Sequence, residues 1–119
     1  VLDGDGSLLM NLGTLVTIAG IQPDNLVHFV LENQLYEVPG GIPLPGGGGY
    51  ALTALARAAG LTSVYQFDQL SEFREHVDAL LKGPGPIFAT LRVARGASEP
   101  LPSMRYGTDM ARNLKRALQ

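Results

Sequence analysis

Cysteine and tryptophan are both missing from these 119 residues. Without cysteine there is no disulfide framework, no thiolate zinc site and no cysteine nucleophile, and a cytoplasmic setting is permitted. Excess charge is scarce too: nine basic and eleven acidic side chains leave a formal net charge of −2, with no Lys/Arg run. That removes the electrostatic footprint needed for nucleic-acid or anionic-membrane binding, so a small-molecule or protein partner is expected. No apolar run reaches the roughly 18 residues of a membrane span. The opening Val1-Leu2, followed at once by Asp3 and Asp5, does not fit a signal peptide. The chain starts without Met and in mid-pattern, which leads to the expectation of one domain, residues 1–119, incomplete at its N-terminus.

Glycine (15) and proline (8) are plentiful. Together they make about a fifth of the chain, above average but below the roughly 25–30% of disordered low-complexity sequences. An ordered protein with glycine-rich loops follows. Leu8, Leu12, Leu15, Val16 and Ala19 recur at helical spacing, with Ser7 as N-cap and Gly20 just beyond, so the pattern predicts a helix over Leu8 to Ala19. Leu26 to Leu31 reads as a strand buried on both faces. Pro39 to Gly49 has neither period nor charge and predicts an irregular, mobile loop. Tyr50 to Ala59 predicts a small alanine-rich helix ended by Gly60, and Ser63 to Phe67 a short strand. Leu70, Phe73, Val77, Leu80 and Leu81 mark an amphipathic helix stopped by Gly83-Pro84. Ile87 to Val93 predicts another strand, and Met110 to Leu118 a terminal helix.

This βαβ alternation predicts an α/β fold, a parallel sheet with helices on both faces and right-handed crossovers. In such sheets ligands bind beyond the carboxyl ends of strands. The informative segments are therefore Asp3 to Ser7 and Glu32 to Tyr36. Asp3-Gly4-Asp5-Gly6-Ser7 joins a strand directly to a helix start, where free N–H groups favour an anion and glycines permit close approach. A carboxylate there would repel a diphosphate unless a cation lay between them. Mg²⁺ is the natural bridge and wants about six oxygens. Two diphosphate oxygens, Asp5, an amide oxygen, a backbone carbonyl and a water complete that shell, and Asn33 at the end of the second strand can supply the amide. An EF-hand loop fails because its sixth and twelfth positions fall on Leu8 and Thr14. A Walker A loop fails at Tyr50-Ala51, and a dinucleotide fingerprint fails at Leu9. No Gly-x-Ser-x-Gly elbow occurs. His28 within its strand reads as a satisfied core histidine and His76 as solvated.

Gly4-Asp5-Gly6-Ser7, with Asn33 lying 28 positions after Asp5 at the end of an apolar strand, resembles the Gly-Asp-Gly to Asn motif of thiamine diphosphate-dependent enzymes. The wider text, Leu2 to Gly13 and Glu32 to Gly41, is most similar to the phosphonopyruvate and sulfopyruvate decarboxylase branch. It departs from that branch at Glu32, Leu35, Pro39 and Ile42. The resemblance implies that Asp5, Asn33 and the backbone oxygen of Leu35 hold Mg²⁺, and that Gly4, Gly6, Ser7 and Tyr36 join them in binding thiamine diphosphate. It assigns no catalytic residue to this chain. It further implies a 2-oxo acid decarboxylase working as an oligomer, in which a pyrimidine-binding domain or subunit supplies the activating glutamate. The alternatives are an acetolactate synthase-like carboligase and a non-catalytic truncated domain that keeps the fold.

Overall fold

In the computed structural model, residues 1–95 and 115–116 are described. Strand β1 (Leu2–Gly4) runs straight into helix α1 (Asp5–Met10), which is followed by α2 (Gly13–Ile21). After β2 (Val27–Glu32) come a small hairpin of β3 (Leu35–Tyr36) and β4 (Ile42–Pro43), a 3-10 turn at Pro45–Gly48, and α3 (Leu52–Ala58). Strand β5 (Ser63–Phe67), α4 (Leu70–Lys82) and β6 (Ile87–Arg92) follow.

The four long-range strands form one parallel sheet in the order β1-β2-β6-β5. Buried residues divide between its two faces by the period-two alternation of strands. Val30, Val64 and Phe88 pack with Leu8, Leu15, Leu52 and Ala56 of α1, α2 and α3. On the opposite face Phe29, Phe67, Ile87 and Ala89 pack with Leu80, Phe73 and Val77 of α4. Helices therefore cover both faces, as the pattern predicts. The change of face has a topological cause. Travel across the sheet runs from β1 through β2 to β5, then reverses to place β6 between β2 and β5. With one handedness for every crossover, reversing direction puts the connecting helix on the other side.

Five local expectations are corrected. The helix expected over Leu8 to Ala19 is two helices that begin earlier and end later. Asn11 leaves the helical region (φ −138°, ψ 54°) while its N–H still reaches the Leu8 carbonyl at 3.0 Å. Asparagine competes with helical backbone bonding, which makes it a natural place to break. Ser7 is not the N-cap: extended Gly4 fills that position, so α1 starts at Asp5. Gly20 lies inside α2, whose end is closed by Gln22 in the left-handed region (φ 52°), with its side-chain amide donating to the Ala19 carbonyl at 2.7 Å.

The segment Pro39 to Gly49 is not wholly irregular. Gly40 and Gly41 take positive φ (115° and 74°), turning the chain so that Ile42 pairs with Tyr36. Leu44 is then buried, its N–H donating to the Gln34 carbonyl at 3.0 Å. Within α4 the core stripe is Phe73, Val77 and Leu80, whereas Leu70 and Leu81 are exposed. Leu81 sits about 100° around the helix from Leu80 and falls off the stripe. The helix expected over Met110 to Leu118 lies outside the described residues except for Lys115 and Arg116, which are helical.

His28 is buried and meets Phe88 edge-to-face at 5.5 Å. Its Nε2 approaches Asp3 Oδ2 at 3.4 Å without making a hydrogen bond, so the ring is less satisfied than expected. Burial pushes its pKa below the usual histidine value, against the pull of Asp3. No helix among the described residues is long and apolar enough to cross a membrane.

Candidate functional site

Parallel pairing of β1 with β2 explains why residues far apart in sequence meet. Gly4 is in register with Leu31, so the next residues of each strand, Asp5 on one side and Glu32-Asn33-Gln34 on the other, emerge together at the carboxyl edge. Asp5 is 4% exposed. Its Oδ2 accepts the Gln34 N–H at 2.6 Å, and its Oδ1 accepts the Gly6 N–H at 2.8 Å. A buried carboxylate costs too much without such donors. Here two amides hold it while lone pairs remain free for a further partner.

The second segment turns sharply. Gln34 adopts positive φ (63°), and the Asn33 Oδ1 accepts the Leu35 N–H at 3.0 Å across that turn. The Asn33 Nδ2 donates to Glu37 Oε2 at 2.8 Å. Beyond the turn β3 lies against the start of α1. A Cβ placed on Gly6 would fall 2.7 Å from Tyr36 Cδ1 and 3.3 Å from the Leu35 carbonyl oxygen. Glycine is required there by closeness, not by torsion: the backbone of α1 touches the tyrosine ring and the carbonyl proposed as a ligand.

Gly6→Ala is therefore expected to displace Tyr36 and to destabilise the fold by the ~1–3 kcal/mol that overpacking costs. In a Tyr36→Ala background the same change should cost less, because the ring that it strikes is gone. Denaturant unfolding of the four proteins of this cycle checks the coupling. Equal losses in both backgrounds would separate Gly6 from Tyr36.

All seven residues named from the sequence, Gly4, Asp5, Gly6, Ser7, Asn33, Leu35 and Tyr36, line one pocket of about 500 Å³. Apolar Met10, Leu31, Val38 and Val93 form the rest of its wall, together with Glu37 and Pro39. Carboxylate, amide and carbonyl oxygens are hard donors of the kind that Mg²⁺ takes. Among the described residues there is no cluster of three or more His, Cys, Asp or Glu, so a metal at this site would depend on amide and carbonyl oxygen. Behind Asp5 lies a smaller cavity of about 100 Å³, lined by Glu32, Gln34, Tyr50, Gln66 and Arg92 among others. Burial raises the Glu32 pKa and the Asp5 charge adds to it, with Arg92 opposing. Burial likewise raises that of Tyr50, and the nearby Asp5 charge adds to the effect.

Two expectations need restating at the level of atoms. Gly6 N–H, expected to face a diphosphate, is engaged by the Asp5 carboxylate. Helix α1 has six residues, too short for its dipole to be the main anion attractor. The Gln34 N–H is a member of the site that the spacing of side chains did not reveal, because a backbone group leaves no trace in residue type. Glu37, which from its place after the second strand reads as either a site wall or a plain loop wall, lines the pocket, and its bond to Asn33 gains meaning only once the turn at Gln34 is known.

Residues 1–90 match the family described as thiamine pyrophosphate enzyme, C-terminal TPP binding domain. A phosphonopyruvate decarboxylase of Streptomyces viridochromogenes is 35% identical over 101 residues, covering 85% of this chain and 25% of that protein. The beta subunit of a sulfopyruvate decarboxylase of Methanothermobacter thermautotrophicus is 37% identical over 103 residues, covering 83% of this chain and 50% of that subunit. The chain thus spans a quarter to a half of the length of these relatives. A solved structure described as a thiamin diphosphate-dependent enzyme from Mycobacterium smegmatis superposes with a TM-score of 0.60 at 22% identity, over 82% of this chain and 17% of that one. That likeness concerns the fold.

Proposed function

As the chain belongs to the thiamine pyrophosphate enzymes through their C-terminal cofactor-binding domain, we propose that it anchors the diphosphate of thiamine diphosphate through Mg²⁺ in a 2-oxo acid decarboxylase of the phosphonopyruvate or sulfopyruvate type. One observation carries the site assignment: Asp5, Asn33 and Leu35 line a single pocket, beside a glycine with no room for a side chain. In this reading the Asp5 carboxylate, the Asn33 amide oxygen and the Leu35 carbonyl hold the metal. Gly4, Gly6, Ser7 and Tyr36 border the diphosphate and thiazolium end. The bound cofactor would supply the electron sink that decarboxylation of a 2-oxo acid needs. The chain's own residues bind, orient and exclude water, and the apolar wall of Met10, Leu31, Val38 and Val93 serves that exclusion.

The activating acid for the pyrimidine would come from another domain or a partner subunit, making the active site shared and the protein an oligomer, in a cytoplasmic setting. A relative named as a beta subunit supports such a division.

Titration calorimetry with and without chelator tests the reading. Thiamine diphosphate should bind the full-length protein tightly with Mg²⁺ and at least about 100-fold more weakly once the metal is removed, because Asp5 then faces the diphosphate uncompensated. Asn33→Ala should weaken metal and cofactor together. Leu35→Ala should matter less, since its carbonyl remains. Binding indifferent to chelator, or a greater loss from Leu35→Ala, would contradict the ligand assignment.

A further inference from the structure

We infer that Glu37 is a positioning residue, which locks the side-chain amide of Asn33 so that its oxygen, and not its nitrogen, is presented to the metal. The inference rests on the ligand assignment just proposed.

An asparagine amide has an oxygen end and a nitrogen end of nearly the same shape, and one half-turn exchanges them. A metal ligand must present the oxygen. Asn33 is pinned at both ends: Nδ2 donates to Glu37 Oε2 at 2.8 Å, and Oδ1 accepts the Leu35 N–H at 3.0 Å. Turning the amide over would place an oxygen against the carboxylate and an NH₂ against an N–H. Both contacts would become repulsive, because an ionised carboxylate only accepts and a backbone N–H only donates. The Leu35 bond alone discriminates weakly, as a single neutral hydrogen bond; the bond to a charged acceptor is the stronger of the two. The amide oxygen has a second lone pair, so it can keep the Leu35 N–H and still turn to a cation.

Glu37 is itself held. Its carbonyl accepts the N–H groups of Gly40 and Gly41 at 3.1 and 3.2 Å, where the chain turns toward β4. Its side chain lines the same 500 Å³ pocket as Asn33. The carboxylate thus reaches the amide from a backbone that the hairpin fixes, the arrangement expected of a group that orients a ligand.

The test uses the full-length protein loaded with Mn²⁺ and thiamine diphosphate, reading metal affinity by electron paramagnetic resonance and inner-sphere waters by solvent proton relaxation. Glu37→Ala should lose about tenfold in Mn²⁺ affinity, within the range for removing a group that orients a metal ligand. It should also gain one exchangeable water where the Asn33 oxygen has left. Glu37→Gln can accept from Nδ2 through its oxygen but can equally donate to Oδ1 through its nitrogen, so it should fall between the wild type and Glu37→Ala in affinity and show part of the added water. Weaker affinity in both variants with no added water in either would mean that Glu37 acts by its charge, and would overturn the positioning role. So would an unchanged Glu37→Ala. Failure of the unaltered protein to hold Mn²⁺ with the cofactor would instead overturn the ligand assignment, and the inference with it.

Discussion

Asp5→Ala is expected to abolish retention of thiamine diphosphate, lowering affinity by at least about 100-fold, since in the proposed site it removes a direct metal ligand where loss of a mere orienting group already costs about 10–100-fold. Of the three proposed ligands, Asp5 alone carries charge. Asn33 and the Leu35 carbonyl contribute dipoles, which cannot by themselves draw a divalent cation out of water. The carboxylate is also 4% exposed, so its attraction for the cation is little screened. Alanine has a second effect, because the Gln34 and Gly6 N–H groups both lose their acceptor. An unsatisfied buried donor costs ~1–3 kcal/mol, partly offset here by no longer burying a charge.

Asp5→Asn partly separates the two effects. It keeps the volume and an acceptor for one of the two N–H groups, loses the charge, and sets an NH₂ against the other. The asparagine variant should therefore lose the ~1–3 kcal/mol of one unsatisfied donor, stay folded, and still fail to bind cofactor. Thermal unfolding alongside calorimetry decides the matter. Cofactor binding retained by Asp5→Asn would show that the charge is not what holds the metal.

The legible part of this fold is the part governed by period. The alternation of β5, α4 and β6, and the double burial of β2 at His28, Phe29 and Val30, follow from spacing of apolar residues. What spacing hides is the backbone. Asn11 splits a helix whose apolar period runs through the break undisturbed. Gly40 and Gly41 build a hairpin out of a stretch with no period at all. At the site the same division holds. Asp5 and Asn33 are readable because side-chain chemistry and a known spacing mark them. Their mutual placement depends on the register of Gly4 with Leu31 and on the Gln34 N–H, neither of which residue types encode. The small cavity behind Asp5 joins Glu32, Tyr50, Gln66 and Arg92 from four separate segments. No one-dimensional pattern could announce it.

The 119-residue chain by itself is expected to release no carbon dioxide from pyruvate, phosphonopyruvate or sulfopyruvate, even with saturating Mg²⁺ and thiamine diphosphate. Turnover by this chemistry needs an anchored diphosphate, a correctly bent cofactor and a carboxylate beside the pyrimidine. The described residues offer candidates for the first only. Three acids lie near the pocket, and each is committed or misplaced. Asp5 is held by two backbone amides and would face the metal. Glu37 is bonded to Asn33. Glu32 lies on the smaller cavity behind Asp5 and not on the 500 Å³ pocket. In the proposed binding mode all three stand at the diphosphate end, whereas the pyrimidine of a metal-anchored cofactor would point away from it. Addition of a pyrimidine-binding partner should restore turnover only where the groups that bend the cofactor are supplied with it, and addition of more cofactor should not, because what is missing is groups and not occupancy. A steady-state assay of carbon dioxide release, run on the chain alone and on the reconstituted mixture, measures both. Cofactor-dependent turnover by the chain alone would place the activating acid within these residues, and the division of labour between two domains would have to be given up.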